Sequence, residues 1–358
     1  YLSQTRSDGS VVERDNAKNN SLNYGIAMDW TLFDGLRMFA DYEQLKETQK
    51  LGEAQLKQVI LNKVGEVMIT YFDLVQQKQQ LTALDSTIII SEQRVDLAYN
   101  RFIIGKASKL EVLNAQVDLN TDQTLMQRQK ELYMNTKVQL NEYLARDLKI
   151  DFEVVPEIFV DQALQLPELE SLVAKENPTL QAEQINKRIS ELELKQTKAL
   201  RYPTVFASTG YNFGRTESSL GFTTSSNSRG WNYGFGASLN IFDGFNQNRN
   251  EKIAKIQIET TEVAIAQRTQ ELMSLVNTTY QTYLTNISLI ELEGKNEAIA
   301  QENMEITVEK YRIGIIPTIE FRTAQLNYIN AKVRYSNAKF QAKLSEIILK
   351  QLAGNLVL

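Results

Sequence analysis

The sequence predicts a mainly α-helical chain with a β-barrel part, made of two structural repeats that each run from strands into long coiled-coil helices. A register repeated 209 residues apart, strands with one charge-free aromatic face, and two very long proline-free stretches carry that prediction. Tyr24-Gly25 returns as Tyr233-Gly234, and Phe33-Asp34-Gly35 as Phe242-Asp243-Gly244. Tyr71 returns as Tyr280, Phe102-x-x-Gly105 as Tyr311-x-x-Gly314, and Glu111, Ala115 and Gln116 as Glu320, Ala324 and Gln325. A register kept without a gap marks a duplicated unit, and such repeats outrank local motifs in fixing architecture.

The first full strand, 22–33, alternates throughout. Leu22, Tyr24, Ile26, Met28, Trp30 and Leu32 fall on one face, and Asn23, Gly25, Ala27, Asp29 and Thr31 on the other. Period two of this kind is a strand wetted on one side. The second copy, 231–242, sets Trp231, Tyr233, Phe235, Ala237, Leu239 and Ile241 against Asn232, Gly234, Gly236, Ser238 and Asn240. A strand at 203–214 carries Tyr211 and Phe213 on its apolar side, and a strand end is expected at 1–5. The polar segments 6–21 and 216–229 read as loops. Strands of about ten residues, apolar outward and small-polar inward, are the pattern of a transmembrane barrel. A soluble sandwich edge is the rival reading, but two near-copies that each feed a giant helix favour the membrane. The residues expected to face lipid are Leu22, Tyr24, Ile26, Met28, Trp30, Leu32, Tyr211, Phe213, Trp231, Tyr233, Phe235 and Leu239. One chain offers at most four such strands, and open edges find no water in lipid. Three copies under cyclic symmetry give about 12 strands, enough to close.

Nothing breaks helix from 35 to 101, and 67 residues at 1.5 Å each span roughly 100 Å. Ile60, Val67, Leu74, Leu81, Ile88, Val95 and Phe102 recur every seventh residue, a coiled-coil seam. The Gln76 to Gln80 run reads as a wet face. The matching helix, 244–311, has a looser seam through Val276, Tyr280, Tyr283, Ile287 and Ile290. Asp34 and Asp243 read as N-caps, and Gly105 and Gly314 as left-handed terminators. Ser108-Lys109-Leu110-Glu111 reads as a capping box opening a helix at 108–146, and Pro317 opens its counterpart at 317–352. The first repeat then covers 1–147, with roughly 50 residues expected ahead of it from the length of the second. The segment 148–177 separates the repeats, with a possible strand at Phe152 to Val155 and a short helix at Glu168 to Lys175. The second repeat is 178–358, opening with a helix at 178–201.

Composition narrows function. The chain has no histidine and no cysteine, which removes the commonest general base, the commonest metal ligand and any thiol chemistry. No cofactor is expected, and enzymatic activity is not expected. A net charge of −5 gives no basic footprint for nucleic acid. No run of about 20 apolar residues forms a membrane helix.

The chain resembles the TolC-like outer-membrane efflux channel family. The motifs that carry the resemblance are 172–180 (Leu-Val-Ala-Lys-Glu-Asn-Pro-Thr-Leu), Arg201-Tyr202-Pro203, the Phe-Asp-Gly junctions at 33–35 and 242–244, and the turns at 101–105 and 310–314. Each motif is weak alone; their order, spacing and duplication are specific. The resemblance implies a homotrimer with a 12-stranded barrel in the outer membrane, continued by a periplasmic α-helical barrel, with 148–177 contributing to an equatorial belt. It implies partners: a periplasmic adaptor (membrane fusion) protein, through it an inner-membrane pump, and outer-membrane lipid. The positions matching adaptor contact are Arg101, Phe102, Gly105, Lys310, Tyr311 and Gly314. Glu320 matches an acidic position of the family's periplasmic entrance, and threefold symmetry would turn Glu111 and Glu320 into carboxylate rings. Simple helix-start roles for both acids remain the alternative. Thr323 stands where a second acid is expected. Tyr311 matches a tyrosine that helps hold the tip closed, and Ile316 replaces the arginine of that closure. The function implied is a passive exit channel of a tripartite efflux or secretion system, opened by adaptor docking at the tip. The alternative is a structural coiled-coil envelope protein without transport.

Overall fold

The computed structural model describes residues 1–5, 7–15, 18–219 and 224–356. The parts of the expected loops at 6, 16–17 and 220–223, and the end of the second repeat at 357–358, lie outside the described residues. The elements run β1 (Leu2–Thr5), β2 (Val11–Arg14), β3 (Asn19–Phe33), α1 (Arg37–Ile103), α2 (Lys109–Tyr143), α3 (Leu166–Glu176), α4 (Pro178–Ala199), β4 (Thr204–Ser218), β5 (Ser225–Ser238), α5 (Asn246–Arg312) and α6 (Thr318–Leu352). They form two compact units, one of residues 1–50 and 185–262, the other of residues 51–184 and 263–358. Each unit draws on both sides of the 148–177 segment.

The first unit holds the strands. β4 pairs antiparallel with β3 on one side and β5 on the other, with Ile26 opposite Tyr211 and Tyr211 opposite Trp231. Antiparallel partners share a face, so the aromatic residues of three strands meet. Tyr24 stacks on Phe213 at 4.9 Å between centroids, and Tyr211 meets Trp231 edge-on at 5.1 Å. This face is nonetheless open: Ile26 is 83% exposed and Trp231 64%.

Three expectations about the strands are corrected. The segment 6–21 contains β2, which pairs with β1 through Thr5 and Val11. β4 and β5 run into the polar segment 216–229, where Thr216 pairs with Ser226 and Glu217 with Ser225. Pairing with a neighbour overrides the low strand propensity of such residues. β5 stops at Ser238, opposite Thr204, rather than at 242. The next partner would be Pro203, which has no N–H to give. Leu239 therefore lies just past the ladder and is exposed.

The helix starts follow one design. Gly35 and Leu36 both have positive φ (72° and 67°), as do Gly244 and Phe245 (67° and 64°). Helix geometry thus begins two residues later than the sequence suggested. Asp34 Oδ2 still accepts from Met38 N at 2.9 Å, and Asp243 Oδ2 from Gln247 N at 2.6 Å. A Cβ on Gly35 would lie 2.4 Å from the Ala199 carbonyl oxygen, so this position excludes any side chain.

The second unit is helical and takes in the larger parts of α1 and α5. α1 and α5 each have 67 residues, and α2 and α6 each have 35. Leu74 is fully buried with Val75 and Tyr133, while Val276 and Tyr283 pack with Leu169, Val173 and Leu349. The segment expected to include a strand at Phe152 to Val155 has none. It lies extended along the helices, held instead by side chains, with Asn141 Nδ2 donating to the Leu148 and Ile150 carbonyls at 3.1 and 2.9 Å. Further on, Glu346 Oε2 accepts from Asp161 N at 3.0 Å, and Lys350 reaches Asp161 Oδ2 at 3.2 Å.

The glutamine run is also corrected. Gln76 and Gln77 are buried, and Gln77 Nε2 donates to Asp73 Oδ2 at 2.9 Å and Thr136 Oγ1 at 3.1 Å. Gln79 donates to the Pro156 carbonyl at 2.8 Å. The start of the run faces α2 and α6, and residues 78–80 remain half-buried.

Asn177 joins two elements. Its Oδ1 accepts from Thr179 N at 3.0 Å and Leu180 N at 3.1 Å, capping α4, while its Nδ2 donates to the Leu352 carbonyl at 2.9 Å. Asn177→Ala is expected to cost about 1–2 kcal/mol, from loss of the cap and an unpaired α6 carbonyl. A fall in thermal denaturation midpoint, absent in Thr48→Ala on the exposed side of α1, checks this.

Candidate functional site at the hairpin ends

Both helical hairpins of the second unit close by the same device. Lys106 N donates to the Arg101 carbonyl at 2.8 Å and Gly105 N to the Phe102 carbonyl at 3.0 Å. In the second hairpin, Ile315 N donates to Lys310 and Gly314 N to Tyr311, at 3.1 and 3.0 Å. This is the Schellman arrangement, and it needs a left-handed residue at φ 75° (Gly105) and 82° (Gly314). The lone glycines of the sequence are thereby explained by backbone geometry.

Beside the turns, one carboxylate oxygen gathers three partners. Thr318 Oγ1 donates to Glu111 Oε1 at 2.5 Å, Tyr311 Oη donates to the same atom at 3.2 Å, and Arg101 Nη1 lies 3.5 Å away. Tyr311 is 1% exposed, packed on Phe321 at 4.8 Å and under the Arg101 guanidinium at 5.5 Å. Burial pushes its phenol above the ordinary tyrosine range, so it stays a hydrogen-bond donor. Ile316 is part-buried in the apolar cluster of Met304, Tyr311 and Phe321.

Of the predicted site residues, the structure brings together Arg101, Glu111 and Tyr311. Phe102 and Lys310 are exposed on the helix ends. Glu320, the sequence counterpart of Glu111, is exposed in the first turn of α6. The two acids are alike in sequence position and different in surroundings. The expected capping box is half made: Ser108 Oγ accepts from Glu111 N at 3.4 Å, while the Glu111 carboxylate turns to Thr318 and Tyr311. Two neutral donors across the hairpins, buried Tyr311 and half-buried Thr318, satisfy it in place of the Ser108 amide.

A second cluster, not anticipated, lies deeper. Arg322 of α6 clamps Asp122 of α2 with two bonds, Nη1 to Oδ2 at 2.8 Å and Nη2 to Oδ1 at 2.9 Å. Ser91 of α1 donates to Asp122 Oδ2 at 2.6 Å, and Arg94 of α1 pairs with Asp118 of α2. Gln325 Nε2 donates to Ser91 Oγ at 2.9 Å and to the Thr87 carbonyl at 3.3 Å. Burial works against the Arg322 charge, yet Asp122 and then Asp118 outweigh it and hold the guanidinium above its ordinary pKa. Arg94, Asp122 and Gln325 are each at most 2% exposed. The buried seam of lower α1 is thus Thr87, Ser91, Arg94 and Ala98, one residue out of phase with the expected Ile88, Val95 and Phe102. The signal was present as 4-3-4 spacing in α1 and as the Asp118/Asp122 pair in α2, but polarity disguised it.

Among the described residues, no group of acids is placed to hold a metal ion, and no helix is long and apolar enough to cross a membrane. An exposed aromatic sheet joined in one chain to long paired helices defines a class of envelope protein in which strands, not helices, meet the lipid. The sequence pattern of outer membrane efflux proteins matches residues 1–146 and 169–355, and the chain belongs to that family. It is an outer-membrane protein with an extended periplasmic helical part, in a family of transport channels rather than enzymes. The family forms trimers and works with periplasmic adaptor proteins.

Solved structures share the fold. A membrane protein from Pseudomonas aeruginosa superimposes with TM-score 0.80 at 15% identity, over 95% of this chain and 81% of that one. The Campylobacter jejuni CmeC outer membrane channel gives TM-score 0.76 at 15% identity, over 95% and 77%. The open state of the Neisseria gonorrhoeae MtrE outer membrane channel gives 0.75 at 13%, over 95% and 79%. No curated protein matches the chain in sequence.

Proposed function

We propose that three copies of this chain form a passive exit channel for an efflux or secretion system. The observation that carries this reading is the β3-β4-β5 sheet, whose aromatic face is exposed and whose outer strands have no further partner among the described residues. Unpaired strand edges are not tolerated in lipid. Completion by neighbouring copies, at four strands per copy with β1 as the end of the fourth, gives a barrel of about 12 strands. The equal helix lengths support a duplicated unit, six helical hairpins around one tunnel.

In this reading the hairpin ends face the periplasmic adaptor. Phe102 and Lys310 present the contact surface. Gly105 and Gly314 shape the blunt ends, while Arg101 and Tyr311 hold the two hairpins together through Glu111. Adaptor docking displaces those contacts and the tip widens. Energy comes from an inner-membrane pump coupled through the adaptor. Glu320, exposed beside the second hairpin end of each copy, forms a ring of three carboxylates that favours cations.

The test is the mass and conductance of the full-length protein extracted from outer membranes in mild detergent. A species of three chains that conducts ions is expected. Glu320→Gln is expected to lower its cation preference, read as a shift in reversal potential under a salt gradient. A monomer that never conducts would point instead to a structural envelope spacer.

A further inference from the structure

Two sets of contacts hold the hairpin ends, and they differ in kind. The outer set, around Glu111, uses hydroxyl donors and one distant guanidinium. Glu111 and Arg101 each keep about a fifth of their side chains in water. Two hydroxyl hydrogen bonds and a guanidinium 3.5 Å away make weaker ties than a bidentate ion pair. The inner set, Arg94, Asp118, Asp122 and Arg322, is a charge-balanced group in which the Arg94 and Asp122 side chains are at most 2% exposed, Arg322 is 12% exposed and Asp118, at the rim, 30%. Parting it would strand a charge in a dry interior, the most expensive rupture available to a side-chain cluster. It ties three helices, α1, α2 and α6, at one level, eight residues beyond Gly314 on α6.

The inner set also breaks the 209-residue register. The positions matching Arg94, Asp118, Asp122 and Arg322 are Asn303, Asn327, Ala331 and Leu113. No second copy of the cluster exists at those places, so it is not a by-product of duplication.

Resting on the channel reading above, we infer that this charge cluster, centred on the buried Asp122, is the fixed end against which the tip moves. α1, α2 and α6 stay locked at Asp122 and Arg322, and only the hairpin ends below that level part. Its residues are positioning residues; they set where the bend begins and touch no transported solute.

These 358 residues hold no cysteine, so cysteines introduced here for spin labels meet no native thiol within them. One label pair goes on exposed Glu92 and Asn327, beside the cluster, and another on exposed Lys106 and Ile315, at the ends. Full-length protein carrying one labelled copy per oligomer is measured by pulsed electron spin resonance. The measurement is made with the native tip, with Tyr311→Phe/Glu111→Gln, and with Thr318→Ala as a second variant that loosens the same contacts. Conductance is recorded on the same samples. The expected result is a several-fold rise in conductance, a shift of several ångström in the Lys106–Ile315 distance, and an unchanged Glu92–Asn327 distance. A Glu92–Asn327 shift as large as that at the ends would overturn the inference, as would a conductance rise with neither distance changed. If no variant conducts above the starting protein and no distance changes, the gated-channel reading falls and the inference with it.

Discussion

Arg322→Ala is expected to destabilise the folded chain by about 3–5 kcal/mol, because it leaves Asp122 buried without its guanidinium. Asp122 is 2% exposed, and its remaining donor is the Ser91 hydroxyl. The other cation of the cluster, Arg94, is engaged by Asp118. The measurement is thermal denaturation in detergent, with an expected drop of roughly 5–10 °C. Arg322→Met with Asp122→Leu removes both charges of the clamp together and should recover much of the loss, since apolar packing often matches a buried ion pair. Equal losses in the single and the double variant would mean that packing volume, not charge, is what this level of the helices requires. The contrast also separates stability from the positional role inferred above, because the double variant restores stability without restoring the directional clamp.

Ile26→Arg is expected to block insertion. Ile26 lies mid-strand on the aromatic face of β3, opposite Tyr211 and between Tyr24 and Met28. An arginine at the midplane of a lipid-facing strand costs about 2–4 kcal/mol, and a trimer meets that cost three times. The readout is the fraction of protein recovered as trimer from outer membranes. Asn23→Arg is the control, since Asn23 is on the opposite face, where substitutions change selectivity more than assembly. A strand face in water would accept both changes equally, and that result would remove the barrel from the proposal.

Much of this protein could be read from local chemistry. Alternation of apolar and polar residues identified the three long strands because side-chain direction in a strand depends only on parity. Gly105 and Gly314 marked the hairpin ends because a left-handed turn residue excludes most side chains whatever surrounds it. Asp34 and Asp243 marked the helix starts because a cap is satisfied within four residues. Family membership followed from the order of these local marks.

What the sequence alone could not supply were features whose partners are distant in the chain. Polar residues 216–218 became strand only because residues 225–227 lie alongside. Gln76 and Gln77 became buried because Thr136 and Asn337 receive them. Glu111 left its own helix start for Thr318, 207 residues away, and so lost its likeness to Glu320. Arg94 and Asp122 look in sequence like residues of a solvated face, and apolar periodicity placed the seam one residue away. Their burial is stable only because Asp118 and Arg322 arrive with the opposite charge, Arg322 from 200 residues beyond Asp122. Local sequence determined the elements, their ends and the lipid-like face. The tertiary structure decided which polar side chains become core, because the cost of burying a charge depends on a partner that no local window contains.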